Sequence, residues 1–288
     1  MSQPDTLTSN LLDLLHELHP LSIPLTLGGG FGLYFKRRWV QESGARTLLR
    51  VLPAIRPTID LDIFLRAEVL ADRARAAAIA AALRRLGYEA VEDARYMQFV
   101  QRAAGGGPVT AKVDLLVGPL GEQKRRMEVN RPRVRPRGPS IGLHAHLTEE
   151  ALSLEEDPIA HEIAGRLSSG EAWAGTLHLP QAFPYLLMKL CAFADRKEDA
   201  RKDLGRHHAM DLYTIVALTT ELEYEAALAR SARYADNPHR RRACEIVAGD
   251  FSGPESLGVL RLREHALFTD DMQIDPFLSV LAEIFPAG

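Results

Sequence analysis

Residues Thr58-Ile59-Asp60-Leu61-Asp62-Ile63-Phe64-Leu65 alternate polar and apolar side chains, the period of a β-strand with two faces of opposite character. Asp60 and Asp62 then project from one face, separated by roughly 7 Å of backbone at about 3.3 Å of rise per residue. Two carboxylates held side by side repel each other unless a cation lies between them. Oxygen-only ligands on a rigid element suit Mg²⁺, which keeps several waters and takes its remaining ligands from substrate phosphates. The plainer alternative is a strand whose polar face is merely wet.

Two further features bear on that choice. Asp114 is a lone acid in Ala111-Lys112-Val113-Asp114-Leu115-Leu116-Val117, a second strongly apolar strand. If the two strands are neighbours, about 4.8 Å apart, a third carboxylate joins the first two. Three carboxylates can hold two divalent ions, one activating an attacking oxygen and one steadying a leaving group. The other feature is Gly28-Gly29-Gly30, which closes the β-like run Ser22–Leu27 and precedes a helix-like stretch, Phe31–Val40. Glycines there let backbone N–H groups approach a phosphate, and a helix N-terminus adds favourable partial charge.

The 288 residues correspond to a soft prior of about two domains. Hydrophobic residues at 46% and charged residues at 25% are ordinary globular values. A net charge of −3 gives no global field for nucleic acid or membrane surfaces. The two cysteines, Cys191 and Cys244, form no zinc-type pair. No apolar run approaches the length of a bilayer span, and the first residues lack the layout of a signal peptide, so a cytoplasmic protein without a membrane partner is expected.

Periodicity predicts a helix over Leu11–Leu18, an irregular stretch over residues 41–57, and an Ala/Arg-rich helix over Ala71–Leu86 with Gly87 as its cap. A hairpin follows, Tyr96–Arg102 and Val109–Val117, turning at Gly105-Gly106-Gly107-Pro108. Pro158–Ile163 and Thr176–Leu179 read as edge strands. Beyond Pro180 the character turns helical, over Phe183–Asp195, Lys202–Thr219, Tyr224–Tyr234 and Pro276–Phe285. The expected organisation is an α/β (α+β) domain over residues 1–179 and a helical domain over 180–288.

Together these residues resemble a known family. A strand ending in Gly-Gly, a helix, Arg56-Pro57-Thr58-Ile59-Asp60-Leu61-Asp62 and a third Asp on a later strand are similar to the DNA polymerase β-like nucleotidyltransferase superfamily. Within it the likeness is to the nucleotidyl transferase AbiEii/AbiGii toxin family. Lys189-Leu190-Cys191-Ala192-Phe193-Ala194-Asp195-Arg196, then Arg201-Lys202-Asp203-Leu204 and Met210-Asp211-Leu212-Tyr213, resemble that family's later segments. The likeness runs from about Leu25 to Val216. Phe31 departs from it, standing where the family often has a hydroxyl residue, and the Gly30-to-Asp60 gap is long.

The resemblance implies a mixed sheet with flanking helices, a helical C-terminal domain, and an active site in the cleft between them. It implies transfer of a nucleoside monophosphate from an NTP to an acceptor (RNA such as tRNA, a protein or a small molecule), with Mg²⁺ or Mn²⁺ as cofactor. It also suggests a toxin with an antitoxin partner. Gly29 and Gly30 would contact the triphosphate, with Arg56 and Thr58 beside them in the nucleotide site. Asp60 and Asp62 would bind metal, and Asp114 would complete the metal set or act as base toward the acceptor. Lys189 would reach the phosphates, with Arg196 on the same helical face, and Asp203 or Asp211 would belong to the last motif. The rivals are a catalytically silent nucleotide- or RNA-binding member of the same fold and a metal-dependent phosphohydrolase.

Some residues have plainer readings. Asp203, His207 and Asp211 follow i, i+4, i+8, a helical stripe in which Asp203 or Asp211 could pair with Arg196, Arg201 or Arg206. Lys189, in an apolar run, either snorkels or serves a buried anion. The basic stretch over residues 124–137 either follows an RNA backbone or is an exposed, charge-balancing loop. His207-His208 lacks a third ligand for zinc, and His239-Arg240-Arg241-Arg242 reads as a solvated helix start.

Overall fold

A computed structural model describes residues 3–103 and 107–287. The chain forms two compact units. The first holds the residues up to Gly32 with Pro57–Thr148 and Pro158–Pro180; the second holds Leu33–Arg56, Glu149–Asp157 and the residues from Gln181 on. The expected change of character at residue 180 coincides with a unit boundary. Two earlier segments nevertheless belong to the helical unit, because their hydrogen bonds and ion pairs lie there.

The first unit is built on a mixed ten-stranded sheet, which makes the chain an α/β protein. Its strands are β1 (Thr26–Leu27), β2 (Asp60–Leu65), β3 (Glu89–Ala90), β4 (Gln98–Arg102), β5 (Val109–Val117), β6 (Met127–Asn130), β7 (Arg133–Pro136), β8 (Ala145–Leu147), β9 (Ile159–Arg166) and β10 (Ala172–Leu179). The order is β6-β7-β8-β5-β2-β1-β10-β9, with β4 pairing the first half of β5 and β3 pairing β4. β2 and β5 are parallel neighbours, with Asp60 opposite Lys112 and Asp62 opposite Asp114. β9 is an edge strand as expected, but β10 is internal, between β9 and β1.

Helices α1 (Gln3–Leu18), α3 (Ala67–Ala71) and α4 (Arg73–Arg85) belong to this unit, as does the first turn of α2 (Gly29–Ser43). The Ala71–Leu86 expectation splits at Asp72, which has extended backbone and caps α4 by accepting from the amides of Ala74 and Arg75. Alternation along the strands sorts the core: Leu61, Ile63, Leu65, Val113, Leu115 and Val117 are all almost fully buried on one face. Gly105 and Gly106 of the predicted turn lie outside the described residues.

The second unit is helical: the rest of α2, α5 (Ala182–Ala194), α6 (Arg206–Ala217), α7 (Glu221–Arg233), α8 (Pro238–Asp250), α9 (Leu257–Arg263) and α10 (Ile274–Ile284). A capping box at Thr220 and Glu223 starts α7, and Glu223 also takes a buried ion pair from Lys36. Residues 44–56 are strapped to this unit. The Leu48 amide donates to Thr219 O at 2.9 Å, the Arg50 amide to Gln273 Oε1 at 2.7 Å, and Arg37 to Pro53 O at 2.8 Å. No helix is long and apolar enough to cross a membrane, among the described residues.

Candidate functional site

The first constellation lies on the polar face of β2 and β5. Residues opposite one another in a ladder point to the same side, so Asp60, Asp62, Lys112 and Asp114 share a face, with Gln98 of β4 opposite Asp114. Lys112 Nζ donates to Asp114 Oδ2 at 2.9 Å and stands 3.9 Å from Asp60 Oδ1. Burial lowers the Lys112 pKa, but Asp114, Asp60 and Asp62 outweigh it and hold the ammonium above its ordinary value. Burial, seconded by the Asp60 charge, raises the Asp114 carboxyl against the pull of Lys112.

Gly28 and Gly29 are required by what lies beside them. The Gly28 amide donates to Asp62 O at 2.8 Å, and a Cβ on Gly28 would stand 2.8 Å from the Phe64 ring. Gly29 has φ +61°, and a Cβ there would sit 1.6 Å from Asp62 Oδ2. The Asp62 carboxylate thus lies against the first residue of α2, where the helix dipole favours negative charge. Gly30 is buried within the first helical turn. Thr58 Oγ1 accepts from the Asp60 amide at 3.0 Å and fixes the entry to β2.

The donor set suits a hard divalent cation: three carboxylates, no nitrogen or sulfur, and a buried Asp114 Oδ1 without a hydrogen-bond partner. Their present spacing is a different matter. Among the described residues, no three His, Cys, Asp or Glu side chains are grouped so as to hold an ion. Lys112 stands among the three acids, its ammonium already bonded to Asp114 Oδ2. An ion on Asp60, Asp62 and Asp114 would compete with that lysine, a residue that metal-ligand reasoning passed over although it stands two before Asp114.

The second constellation belongs to the helical unit. Lys189 of α5 is 9% exposed and donates to Asp211 Oδ2 of α6 at 2.6 Å; Asp211 is 2% exposed. Arg56 adds its Nε at 3.4 Å from Asp211 Oδ1. Burial would raise the Asp211 carboxyl, but Lys189 and Arg56 hold it below its ordinary value. His208 Nε2 accepts from Arg196, so its proton sits on Nδ1, which is buried without a partner. Burial, with Lys189 and Arg196 adding repulsion, drops its pKa to about 2, so the imidazole is neutral. Lys189, Arg196 and Arg56 against the single carboxylate of Asp211 leave the cluster two positive charges in excess.

Two expectations need correction here, and two are met. Asp203 is not on the helix with His207 and Asp211, because Asp203, Leu204 and Gly205 have φ of 58°, 52° and 75° and break the chain before α6. Asp203 pairs with Arg206 at 2.8 Å, one of the pairings expected of it. Asp211 pairs with Lys189 and Arg56. Arg196 lies past the end of α5, so it does not share a helical face with Lys189. Lys189 serves a buried anion, the Asp211 carboxylate, the second of its two expected readings.

No family model, curated protein or solved structure matches this chain.

Proposed function

We propose that this chain is a metal-dependent nucleotidyltransferase, moving a nucleoside monophosphate from an NTP to an acceptor with release of pyrophosphate. The observation that carries the proposal is the in-register placement of Asp60, Asp62 and Asp114 on one face of two parallel strands, with Gly29 against Asp62. In this reading the fold is the polymerase β-like nucleotidyltransferase sheet. Asp60, Asp62 and Asp114 would hold Mg²⁺ or Mn²⁺, which when bound supplies neutralisation of the triphosphate charge. The acceptor oxygen attacks the α-phosphorus, the bond to the bridging oxygen breaks, and pyrophosphate leaves. Asp114, whose burial favours its protonated form, takes the acceptor proton. Within the helical unit, the excess positive charge of Lys189, Arg196 and Arg56 suits an anion.

One observation favours a second reading, a silent nucleotide- or RNA-binding protein: Lys112 already pairs with Asp114. The test is transfer of label from an α-labelled NTP across RNA, protein and small-molecule acceptors with Mg²⁺ or Mn²⁺. Asp60→Asn and Asp62→Asn each abolish transfer while leaving the far-UV spectrum unchanged. Unaltered transfer in both variants rejects the assignment, metal-dependent NTP binding without turnover supports the silent reading, and release of free phosphate from simple esters supports a phosphohydrolase. A toxin role with an antitoxin partner is tested by growth arrest on expression and its loss in Asp60→Asn.

A further inference from the structure

The basic stretch belongs to the same sheet as the acids, and the register shows which way its side chains face. In β5, Leu116 shares the face of Asp114, two residues away. Leu116 is opposite His146 of β8, and His146 is opposite Arg133 of β7. Arg133 and Arg135 therefore project from the same face as Asp60, Asp62 and Asp114. Glu128 and Asn130 of β6 join them, opposite Arg135 and Arg133. The other face of these strands is core, with Met127, Val134 and Ala145 buried. One face thus runs from an arginine-rich edge, past Leu116, to the carboxylates. At about 4.8 Å per strand and 3.3 Å per residue, Arg133 stands roughly 12 Å from Asp114.

Charge is unevenly shared between this edge and the rest. Residues 121–138 carry Lys124, Arg125, Arg126, Arg131, Arg133, Arg135 and Arg137 against Glu122 and Glu128, a net of +5. Since the whole chain is −3, everything else sums to −8. Lys124, Arg125, Arg126, Arg131 and Arg137 are exposed. A hollow of about 350 Å³ opens on the hairpin, lined by Glu128, Asn130, Arg133, Arg135 and Arg137 among others.

We propose that the β6–β7 hairpin and the turn before it dock the phosphate backbone of a double-stranded RNA, laying it along the polar face toward the carboxylates. As an acceptor dock the surface rests on the nucleotidyltransferase reading, and it names the acceptor class. Clustered cations neutralise phosphates without reading bases. The stretch lacks aromatic side chains, so stacking on single strands has no platform. It also exposes no large apolar side chain that could enter a bilayer, which separates it from a lipid-binding surface. The arginines lie on a sheet face with β7 paired on both sides, so the hairpin is not a free ribbon that could enter a DNA major groove. RNA presents 2′-hydroxyls along its whole length, acceptor groups that duplex DNA lacks away from its ends.

The test is fluorescence anisotropy with a labelled RNA duplex, measured with chelator and without NTP, so that binding is separated from transfer. Wild-type binding weakens steeply between about 50 and 200 mM salt. The variant Lys124→Gln/Arg125→Gln/Arg126→Gln/Arg133→Gln binds at least about 100-fold more weakly, and its slope of log K against log salt is shallower by about 3 to 4. Arg125→Gln/Arg126→Gln, altering only exposed side chains, gives about half that change in slope and covers a failure of the larger variant to fold. Four neutralisations in the helical unit (Arg201, Lys202, Arg241 and Arg263 to Gln) leave the slope within about one unit. The proposal is overturned if hairpin and control variants weaken binding alike, if DNA duplex binds as tightly as RNA, or if phosphatidylserine vesicles bind and RNA does not. Transfer to a small acceptor with no RNA binding sinks the dock alone. RNA binding that depends on the hairpin without transfer to any acceptor sinks the nucleotidyltransferase reading and leaves the dock standing.

Discussion

Replacing Lys189 with Met separates a structural pair from a solvated one. Asp211 is 2% exposed and would keep only Arg56, at 3.4 Å. Removing one partner of a buried ion pair costs about 3–5 kcal/mol, because the remaining charge stays desolvated. The surviving arginine places Lys189→Met near the low end, about 3 kcal/mol, and Asp211→Asn, which strands Lys189, falls in the same range. The double variant removes both charges, so it should cost only about 2–3 kcal/mol, against about 6 for two independent sites. The difference, about 3 kcal/mol, is the coupling energy. Urea unfolding followed by far-UV circular dichroism reads it as a shift in midpoint at constant m-value. The pH dependence supplies a second check. Asp211 is depressed in the folded state, so its stabilisation is present above the unfolded carboxyl pKa of about 3.9 and disappears as pH falls through the lower folded value. That acid-side loss should vanish in Asp211→Asn. Additive costs in the double variant, or a single-variant cost below about 1 kcal/mol, would refute a buried, mutually dependent pair.

Three further outcomes follow from the geometry. Gly29→Ala meets both a left-handed φ and Asp62 Oδ2 at 1.6 Å, whereas Gly44→Ala meets a φ of +64° and nothing within 4 Å. Gly44→Ala should therefore cost about 1 kcal/mol and spare NTP-dependent transfer, while Gly29→Ala should cost more and abolish it; equal melting-temperature shifts would contradict the contact. His208 is neutral with its pKa at about 2, so protonation of the unfolded chain below pH about 6.5 destabilises the fold, by at most about 1.4 kcal/mol per pH unit. His208→Gln should remove that slope between pH 6.5 and 4, and an unchanged unfolding profile would count against the buried neutral ring. Lys112→Met removes the cation that shields Asp114, so Mn²⁺ should raise its melting temperature more than it raises wild type's; an equal rise would show that the lysine does not compete for the ion.

The parts of the molecule legible from sequence are those governed by short-range periodicity. Val109–Val117 is a strand over the whole span its alternation predicts, and Asp60 and Asp62 share a face because the period of two requires it. Adjacency of β2 and β5 was a condition rather than a deduction, since nothing local in either strand names its neighbour. The same limit hid the hairpin within residues 124–137: its alternation, Arg133-Val134-Arg135-Pro136, is masked by charge, so a loop was as good a reading as a surface. The stripe of Asp203, His207 and Asp211 failed for a different reason. Helical spacing presumes continuous helix, and three consecutive left-handed residues stop it at Gly205, sending Asp203 to Arg206 and leaving Asp211 to Lys189 and Arg56.

Arg56 shows what an insertion can do that spacing does not reveal. The long interval between Gly30 and Asp60 suggests an addition beside a site, yet its backbone is tied down at Leu48 and Arg50 and its Arg56 supplies a charge to a carboxylate 155 positions away. Such a tether fixes the guanidinium only if the strap is rigid, because a mobile loop would lose side-chain and backbone entropy to make a contact at 3.4 Å. The strap's own hydrogen bonds, to Thr219 O and Gln273 Oε1, restrain that backbone independently of Asp211. Arg56 is therefore held in place for whatever anion the cluster receives, and the positive excess around Asp211 persists whether or not one is bound.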